Sequence, residues 1–183
     1  MMPLNESVLY KIDDRDRILS VNAHWDRFAQ ANDAPDLIGS QIFGRSLWDF
    51  IADKETREIY RMLLNRVRAG RSVVFRLRCD SPCHRRLLEM ELALLEQQAV
   101  LFRTRVIRAE EREVVPLLAH DSPRSGEIVR VCAWCSRINN SGSNWVEVED
   151  AIGPAELFEV PLLPELSHTI CPPCYDTMQR KMR

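Results

Sequence analysis

The chain has 183 residues, which is enough for one hydrophobic core, or for one core and a small additional block. Its formal net charge is −2, so the composition argues against a strongly basic nucleic-acid binder. The N-terminal sequence has no secretory signal pattern and no apolar run is long enough to span a bilayer. We therefore expect a cytoplasmic protein with no membrane partner.

The first half of the chain alternates between strand-like and helix-like patterns. Two strands are predicted, Ser7–Ile12 and Arg17–Val21, joined by a charged turn. Asn22 is placed to cap a short helix, and a longer helix is predicted to open at Asp53 and to end at Gly70.

Apolar and charged side chains alternate in the three strands that follow the long helix. The residues predicted to face the helices are Val73, Phe75, Leu77, Leu88, Met90, Leu92, Val100, Phe102 and Val106. The residues predicted to face away and to pair across the strands are Arg76, Arg78, Glu89, Glu91, Arg103 and Arg105. This pattern indicates an antiparallel sheet with one apolar face and one charged face.

The order of these elements, with the segments ILSVNAHWDRFAQAN and GRSLWDFI, resembles a PAS (Per-Arnt-Sim) domain. The resemblance covers residues 7–107, and residues 1–107 are taken as the domain. It implies an α+β fold in which an antiparallel sheet carries helices on one face. It also implies a sensory or dimerising role.

Some PAS domains hold haem, flavin or a small metabolite between the helices and the sheet. The cysteine of the flavin photoreceptor subclass has no counterpart in Gly39–Trp48, and the histidine of the haem subclass has none in residues 53–69. His24 lies on the wrong helix for that pattern. We therefore expect a packed core. The alternative is a pocket that holds an unidentified ligand.

Two C-x-x-C pairs occur in the second half of the chain, Cys132 with Cys135 and Cys171 with Cys174. Four thiolates can complete the tetrahedral shell of zinc, and in a reducing compartment they are better explained as metal ligands than as disulfides. The long insert between the pairs must form its own small structure. We predict a strand, or a strand leading into a helix, over Asn144–Ile152, where Trp145 is placed to cover the metal.

The pattern VCAWCSRI…WVEVEDAI…LSHTICPPC resembles a C-terminal zinc-binding module of bacterial signalling proteins, matched over residues 132–174. The resemblance implies a zinc-binding module at 128–183, after a linker at 108–127, and supplies no activity. The segment Gly153–Pro164 is richer in proline than the family pattern. His168 is an alternative ligand or a hydrogen-bond partner of the site. Replacing one of the four cysteines is expected to unfold only this module.

Cys79, Cys83 and His84 form a third cluster of donors. Cys79 follows the apolar alternation, which indicates a buried thiol, and Cys83 and His84 lie in a turn. Two or three adjacent donors do not complete a coordination shell, so we do not expect a second metal here.

The sequence contains none of the phosphate-binding, nucleophile-elbow or zinc-protease motifs that we would associate with an enzyme. We therefore expect a non-enzymatic signalling or regulatory protein with an unidentified signalling partner. The alternatives are a zinc-dependent nucleic-acid-binding transcriptional regulator and a thiol/zinc redox sensor. Acidic residues within the zinc block argue against nucleic acid as the partner.

Four apolar residues interrupt the charged face of the predicted sheet, namely Leu87, Leu95, Leu101 and Ile107. Such residues often mark an interface, and we expect a homodimer formed through the PAS-like domain. The alternative is that the patch Val114–Leu118 folds back and covers them within one chain.

Overall fold

In the computed structural model the described residues are 7–32, 34–119, 121–142, 144–151 and 162–182. The first block contains β1 (Ser7–Ile12), β2 (Ile18–Val21), α1 (Ala23–Ala31), α2 (Gly39–Ile42), α3 (Lys54–Arg68), β3 (Val73–Arg78), β4 (His84–Leu94) and β5 (Val100–Glu111). Short 3-10 turns occur at Pro35–Leu37, Leu47–Phe50, Glu96–Gln98 and Pro116–Leu118. No helix within these described ranges is both long and apolar enough to cross a membrane.

The five strands of the first block form one antiparallel sheet in the order β2-β1-β5-β4-β3. The predicted register is confirmed, because eight of the nine residues assigned to the apolar face are buried and Leu77 is half-buried. The charged residues face the other way and are exposed or half-buried. Their cross-strand pairing is confirmed for Glu89, whose carboxylate meets Arg76 and Arg105, and for Glu91 with Arg103.

Capping side chains fix the starts of helices α1 and α3, and a glycine follows the end of α3. Asn22 accepts a hydrogen bond from the backbone N–H of Trp25, and Asp53 accepts one from that of Thr56. The predicted cap at Asn22 and the predicted start of the longer helix at Asp53 are therefore confirmed. Helix α3 ends before Gly70, whose φ of 83° is the left-handed conformation that glycine adopts without strain. These caps fix where α3 starts and stops over the sheet.

Aromatic rings pack in the space between α3 and the apolar face of the sheet. Tyr10 on β1 stacks on Phe102 of β5 with ring centroids 4.3 Å apart, and Tyr60 of α3 lies 6.5 Å from the same ring. Ile59, Leu63, Leu64 and Val67 of α3 join this cluster. The fold is thus the α+β arrangement that the resemblance implies, with a PAS-type sheet carrying helices on one face.

The second block forms a smaller sheet and ends in a helix. Its elements are β6 (Arg124–Cys132), β7 (Ile138–Ser141), β8 (Asn144–Val146), α4 (Val148–Ala151), β9 (Leu163–Thr169) and α5 (Pro172–Met182). The sheet order is β8-β7-β6-β9, with β6 and β9 parallel and the other pairs antiparallel. The strand leading into a helix that was predicted from Asn144 onward is observed through Ala151, and Ile152 lies outside the described residues. Most of Gly153–Pro164 also lies outside them.

Strands extend from both sides into the segment predicted as a linker. β5 continues to Glu111 and β6 begins at Arg124. Between them, Val115 and Leu117 are buried in a cluster with β6, β7 and α4 of the second block. The alternative in which this patch covers the outer face of the first sheet is therefore wrong, because its buried side chains pack into the second block instead.

Candidate metal centre

The first C-x-x-C pair forms a tight turn directly after β6. Cys132 is the last residue of the strand, and its carbonyl accepts a hydrogen bond from the N–H of Ser136 at 2.9 Å. Ser136 has a φ of 57°, a left-handed conformation that reverses the chain after Cys135. The turn holds both thiols on one side of the chain.

The second pair is placed by the start of helix α5. Cys171 directly precedes the helix, and its carbonyl accepts a hydrogen bond from the N–H of Tyr175 at 3.0 Å. Pro172 occupies the first helical position, where the missing N–H costs nothing and the fixed φ favours the helix. Cys174 lies in the first turn of the helix, three residues after Cys171.

Parallel pairing of β6 with β9 brings the two pairs together, since Cys132 is in register with Thr169, two residues before Cys171. The four sulfurs lie within 4.8 Å of one another, and those of Cys135 and Cys171 are 3.8 Å apart. A tetrahedral ion about 2.3 Å from each sulfur requires sulfurs about 3.8 Å apart. The four cysteines are therefore positioned to bind a metal ion.

The surroundings of Cys132 favour a charged sulfur. Its Sγ accepts hydrogen bonds from the backbone N–H groups of Trp134 at 3.4 Å and of Cys171 at 3.3 Å. Hydrogen bonds from the thiols of Cys135 and Cys174, together with the backbone donors, hold the pKa of Cys132 far below its usual range. Four soft thiolates in a closed, largely buried set fit zinc or iron, and they leave no ligand position for a reacting water.

The other candidate donors named from the sequence lie outside this set. His168 is three residues before Cys171, and desolvation lowers the pKa of its imidazole, which favours the neutral ring. Cys79 is half-buried with a pKa raised by burial, and the exposed Cys83 has its Sγ 3.1 Å from Nδ1 of His84. In the part of the chain that the structure describes, the four cysteines are the one group of three or more donors close enough for a metal.

Trp134, between the two cysteines of the first pair, joins the metal centre to the first block. Its ring is 7% exposed and lies 5.8 Å from the ring of Phe75 and 5.9 Å from that of Tyr60. The turn Cys132–Cys135 and helix α3 therefore belong to one buried cluster. Trp145, the aromatic residue predicted to cover the metal, packs against the same cluster but is only half-buried.

Hydrogen bonds also connect the first block to the second at the contact that Trp134 makes with Phe75 and Tyr60. We call this contact between the two blocks the seam. The N–H of Arg78 donates to the carbonyl of Trp134 at 2.8 Å. The hydroxyl of Thr169 donates to Oδ1 of Asp53, the cap of α3, also at 2.8 Å. Burial alone would raise the pKa of Asp53, but its hydrogen bonds with Thr56 and Thr169 together lower it. The start of α3 is thus tied to the strand that leads into the second cysteine pair.

A network of charged side chains also connects the two blocks. Arg78 pairs with Glu147 at 2.6 Å, and Glu149 meets Arg112 at 3.0 Å and Arg85 at 2.8 Å. Burial opposes the charge of both glutamates, but the arginine hydrogen bonds outweigh it and lower the pKa of each. Sequence reasoning placed Arg78 on the charged face correctly but missed its partner, which lies 69 positions away.

No family model matches the chain, and no curated protein matches it in sequence. Comparison with solved structures gives a match to a sensory box sensor histidine kinase from Vibrio cholerae. The identity is 11% and the TM-score 0.41, over 57% of this chain and 85% of that one. The fold assignment rests on the element order and register described above.

Proposed function

We propose that this is a non-enzymatic signalling or regulatory protein in which a PAS-type sensor or interaction domain is coupled to a structural zinc module. The observation that carries the proposal is the position of Trp134. It lies between two metal-ligand candidates and is buried against Phe75 and Tyr60 of the first block. A change on either side of the seam therefore reaches the other through packed side chains.

Zinc is the metal that we propose for the four cysteines. A closed set of four thiolates is typical of structural zinc, and the hydrogen bonds to Cys132 compensate part of its negative charge. Zinc would draw the β6–β9 sheet and α5 together, and this chain's contribution is to hold four sulfurs at the required separation. In this proposal the metal stabilises structure and takes part in no reaction.

Elemental analysis of the purified protein tests the zinc proposal. We expect one zinc per chain, and loss of that zinc in Cys171→Ser, because Cys171 is one of the two buried members of the set. The matched control is Cys83→Ser, which changes an exposed cysteine outside the set and should keep the metal. Protein with four reduced thiols and no bound metal would contradict the proposal, and iron in place of zinc would correct the metal.

A thiol/zinc redox sensor is a second candidate, favoured by the unequal burial of the four ligands. Cys132 and Cys171 are buried, whereas Cys135 and Cys174 are half-buried, so a small oxidant can reach two of the sulfurs. Under this candidate, sub-millimolar hydrogen peroxide releases zinc and the thioredoxin system restores binding. Zinc that stays bound while Cys83 is oxidised argues for a purely structural site.

We also propose that two chains pair through the outer face of the PAS-type sheet. Val74 is 53% exposed there, and Leu87, Leu95, Leu101 and Ile107 are half-buried without being covered by the Val114–Leu118 patch. Light scattering after size exclusion should give a dimer mass that Leu101→Glu reduces to a monomer. Ile128→Glu, at an exposed site of the second block, is the control and should stay dimeric. A monomer at tens of micromolar rules out stable pairing.

The nucleic-acid-binding alternative predicts a different result in solution. Binding that rests on phosphate contacts weakens steeply as salt rises. We expect no such salt-dependent binding of duplex DNA or RNA by the zinc-loaded protein. A clear salt slope would favour that alternative over the signalling proposal.

A further inference from the structure

A cleft of about 460 Å³ opens along the seam, and both blocks contribute to its walls. The first block supplies the 3-10 turn at Phe50 and the start of helix α3, and the second supplies the turn at Trp134 and the strand at His168. This volume is in the range that holds a small organic molecule. Tyr60 of α3 and Leu77 of β3 also line the cleft, so it adjoins the packed space between α3 and the sheet, where Tyr10 and Phe102 stack.

The walls of the cleft combine aromatic rings with a single acidic group. Phe50, Tyr60 and Trp134 supply the rings, and Asp53 is the one carboxylate among the described residues that line it. These lining residues include no lysine or arginine, and their one histidine, His168, is exposed to solvent. The local charge is therefore negative, which disfavours phosphates and carboxylates and favours a cation or a neutral molecule.

One of the lining residues carries a buried polar atom that has no hydrogen-bond partner among the described residues. This is the indole Nε1 of Trp134, in a residue that is 7% exposed. Buried polar groups are nearly always satisfied, so an unpaired one in the wall of a cleft calls for a partner. The π face of an aromatic ring that enters between α3 and the Trp134 turn can accept a weak hydrogen bond from this N–H.

We propose that the cleft binds a small protonated amine with an aromatic body, whose ammonium group pairs with Asp53 and whose ring packs among Phe50, Tyr60 and Trp134. An ammonium group gains from the faces of aromatic rings as well as from the carboxylate. The ligand contacts both blocks at once, so it stabilises their docking. This deepens the proposed sensory role by naming the class of molecule sensed.

Three probes with the same ring and different charge test the proposal: phenethylamine, 2-phenylethanol and phenylacetate. Binding is followed by calorimetry on the zinc-loaded chain. We expect phenethylamine to bind at least about tenfold more tightly than phenylacetate, with 2-phenylethanol between them. Equal affinities for the three, or no binding of phenethylamine at millimolar concentration, overturn the proposal. Because zinc content is measured on the same sample, failure here is distinguishable from failure of the metal proposal.

Asp53→Asn removes the charge while keeping a residue that caps a helix equally well and can still accept from Thr169. The preference for phenethylamine should disappear in this variant. It should persist in Glu96→Gln, which removes one exposed negative charge far from the cleft. Ala52→Trp narrows the cleft from an exposed lining position and should abolish phenethylamine binding. Unchanged binding in Ala52→Trp, or a preference that survives Asp53→Asn, would place the amine elsewhere and sink the proposal.

Discussion

The two blocks of this protein acquire their cores by different means. In the first block, long paired strands and a fifteen-residue helix bury a continuous set of side chains with no metal ligand among those that α3 and the sheet contribute. Among its described residues, the second block has a four-stranded sheet, one short helix, one longer helix and two buried sets. One, around Leu117 and Val131, is its own, whereas the other contains Cys132 and Cys171 and merges with the first block through Trp134. A small block can therefore gain stability from a metal and from a neighbour together.

Because the second block shares a buried set with the first, the two blocks should respond together to metal loss. The sequence alone favours unfolding of the second block only, because the first has its own apolar faces. The structure favours a wider effect, since Trp134 and Thr169 tie the ligand-bearing segments to Phe75, Tyr60 and Asp53. Substitutions at the cysteines, at the seam and on the outer face of the first sheet distinguish an independent second block from a dependent one.

The largest effect is expected from removal of a metal ligand. Cys171→Ser should lose zinc and destabilise the protein by about 4 kcal/mol or more, because metal-binding free energy is folding free energy in such sites. Thermal unfolding with elemental analysis measures both, and Cys83→Ser is the control. Full zinc content and an unchanged unfolding temperature in Cys171→Ser would show that the second block holds itself together without this ligand.

Removal of the Trp134 ring should cost about 3–5 kcal/mol, because Trp134→Ala leaves a cavity between the two blocks. Hydrogen exchange should then increase both around the turn Cys132–Cys135 and in α3 near Tyr60. Leu117→Ala is the comparison, since Leu117 is 1% exposed in the separate cluster of the second block and should leave the exchange of α3 unchanged. Equal effects of the two variants on α3 would contradict a specific role for Trp134.

The network of charged side chains between the two blocks should give a smaller, pH-dependent effect. Glu147→Gln weakens the pair with Arg78 and should cost about 1–2 kcal/mol at neutral pH, since both groups are partly buried. The pKa of Glu147 is lowered in the folded protein, so its contribution is present above the unfolded pKa of about 4.3 and is lost as pH falls through the lower folded pKa.

The gap in stability between wild type and Glu147→Gln should therefore close below about pH 4. The control is Glu91→Gln on the outer face of the sheet, where Arg103 is 3.9 Å away and both side chains are exposed. That variant should change stability by less than about 0.5 kcal/mol. A gap for Glu147→Gln that stays constant from pH 7 to pH 3 would argue against the ion pair as its cause.

The smallest effect is expected at the turn Cys132–Cys135, and it is a gain in stability. Ser136 has a φ of 57°, so Ser136→Gly should relieve strain and stabilise the protein by up to about 1 kcal/mol. Gly70→Ala, at a φ of 83° at the end of α3, is the reverse control and should destabilise by a similar amount. Denaturant unfolding of the two variants checks the opposite signs.

Local pattern predicts much of this fold because the relevant physics is local. Alternation in β3, β4 and β5 determined which side chains face the helices, and short polar side chains at Asn22 and Asp53 identified the helix starts. The spacing of the four cysteines was enough to name the donors that the structure brings together.

The seam was not predictable from such patterns. Alternation assigns Arg78 to a face of the sheet, but it carries no information about Glu147, which arrives from another block. The position of Trp134 is a usable sequence signal, because an aromatic residue between two cysteine ligands must pack close to the metal. Leu77 is only half-buried because it lines the cleft between the two blocks, which the alternation within β3 does not reveal.

The central claim is that the four-cysteine cluster and the first block form one packed unit. Hydrogen exchange before and after zinc removal tests this claim most directly. The wild-type protein is compared with and without a strong chelator under reducing conditions. We predict that metal loss removes protection from β6, β9 and α5, and also lowers it in β3 near Phe75 and at the start of α3 near Asp53. The central strand β5 around Phe102 should keep its protection. Loss confined to the second block, with β3 and α3 unchanged, would contradict the account.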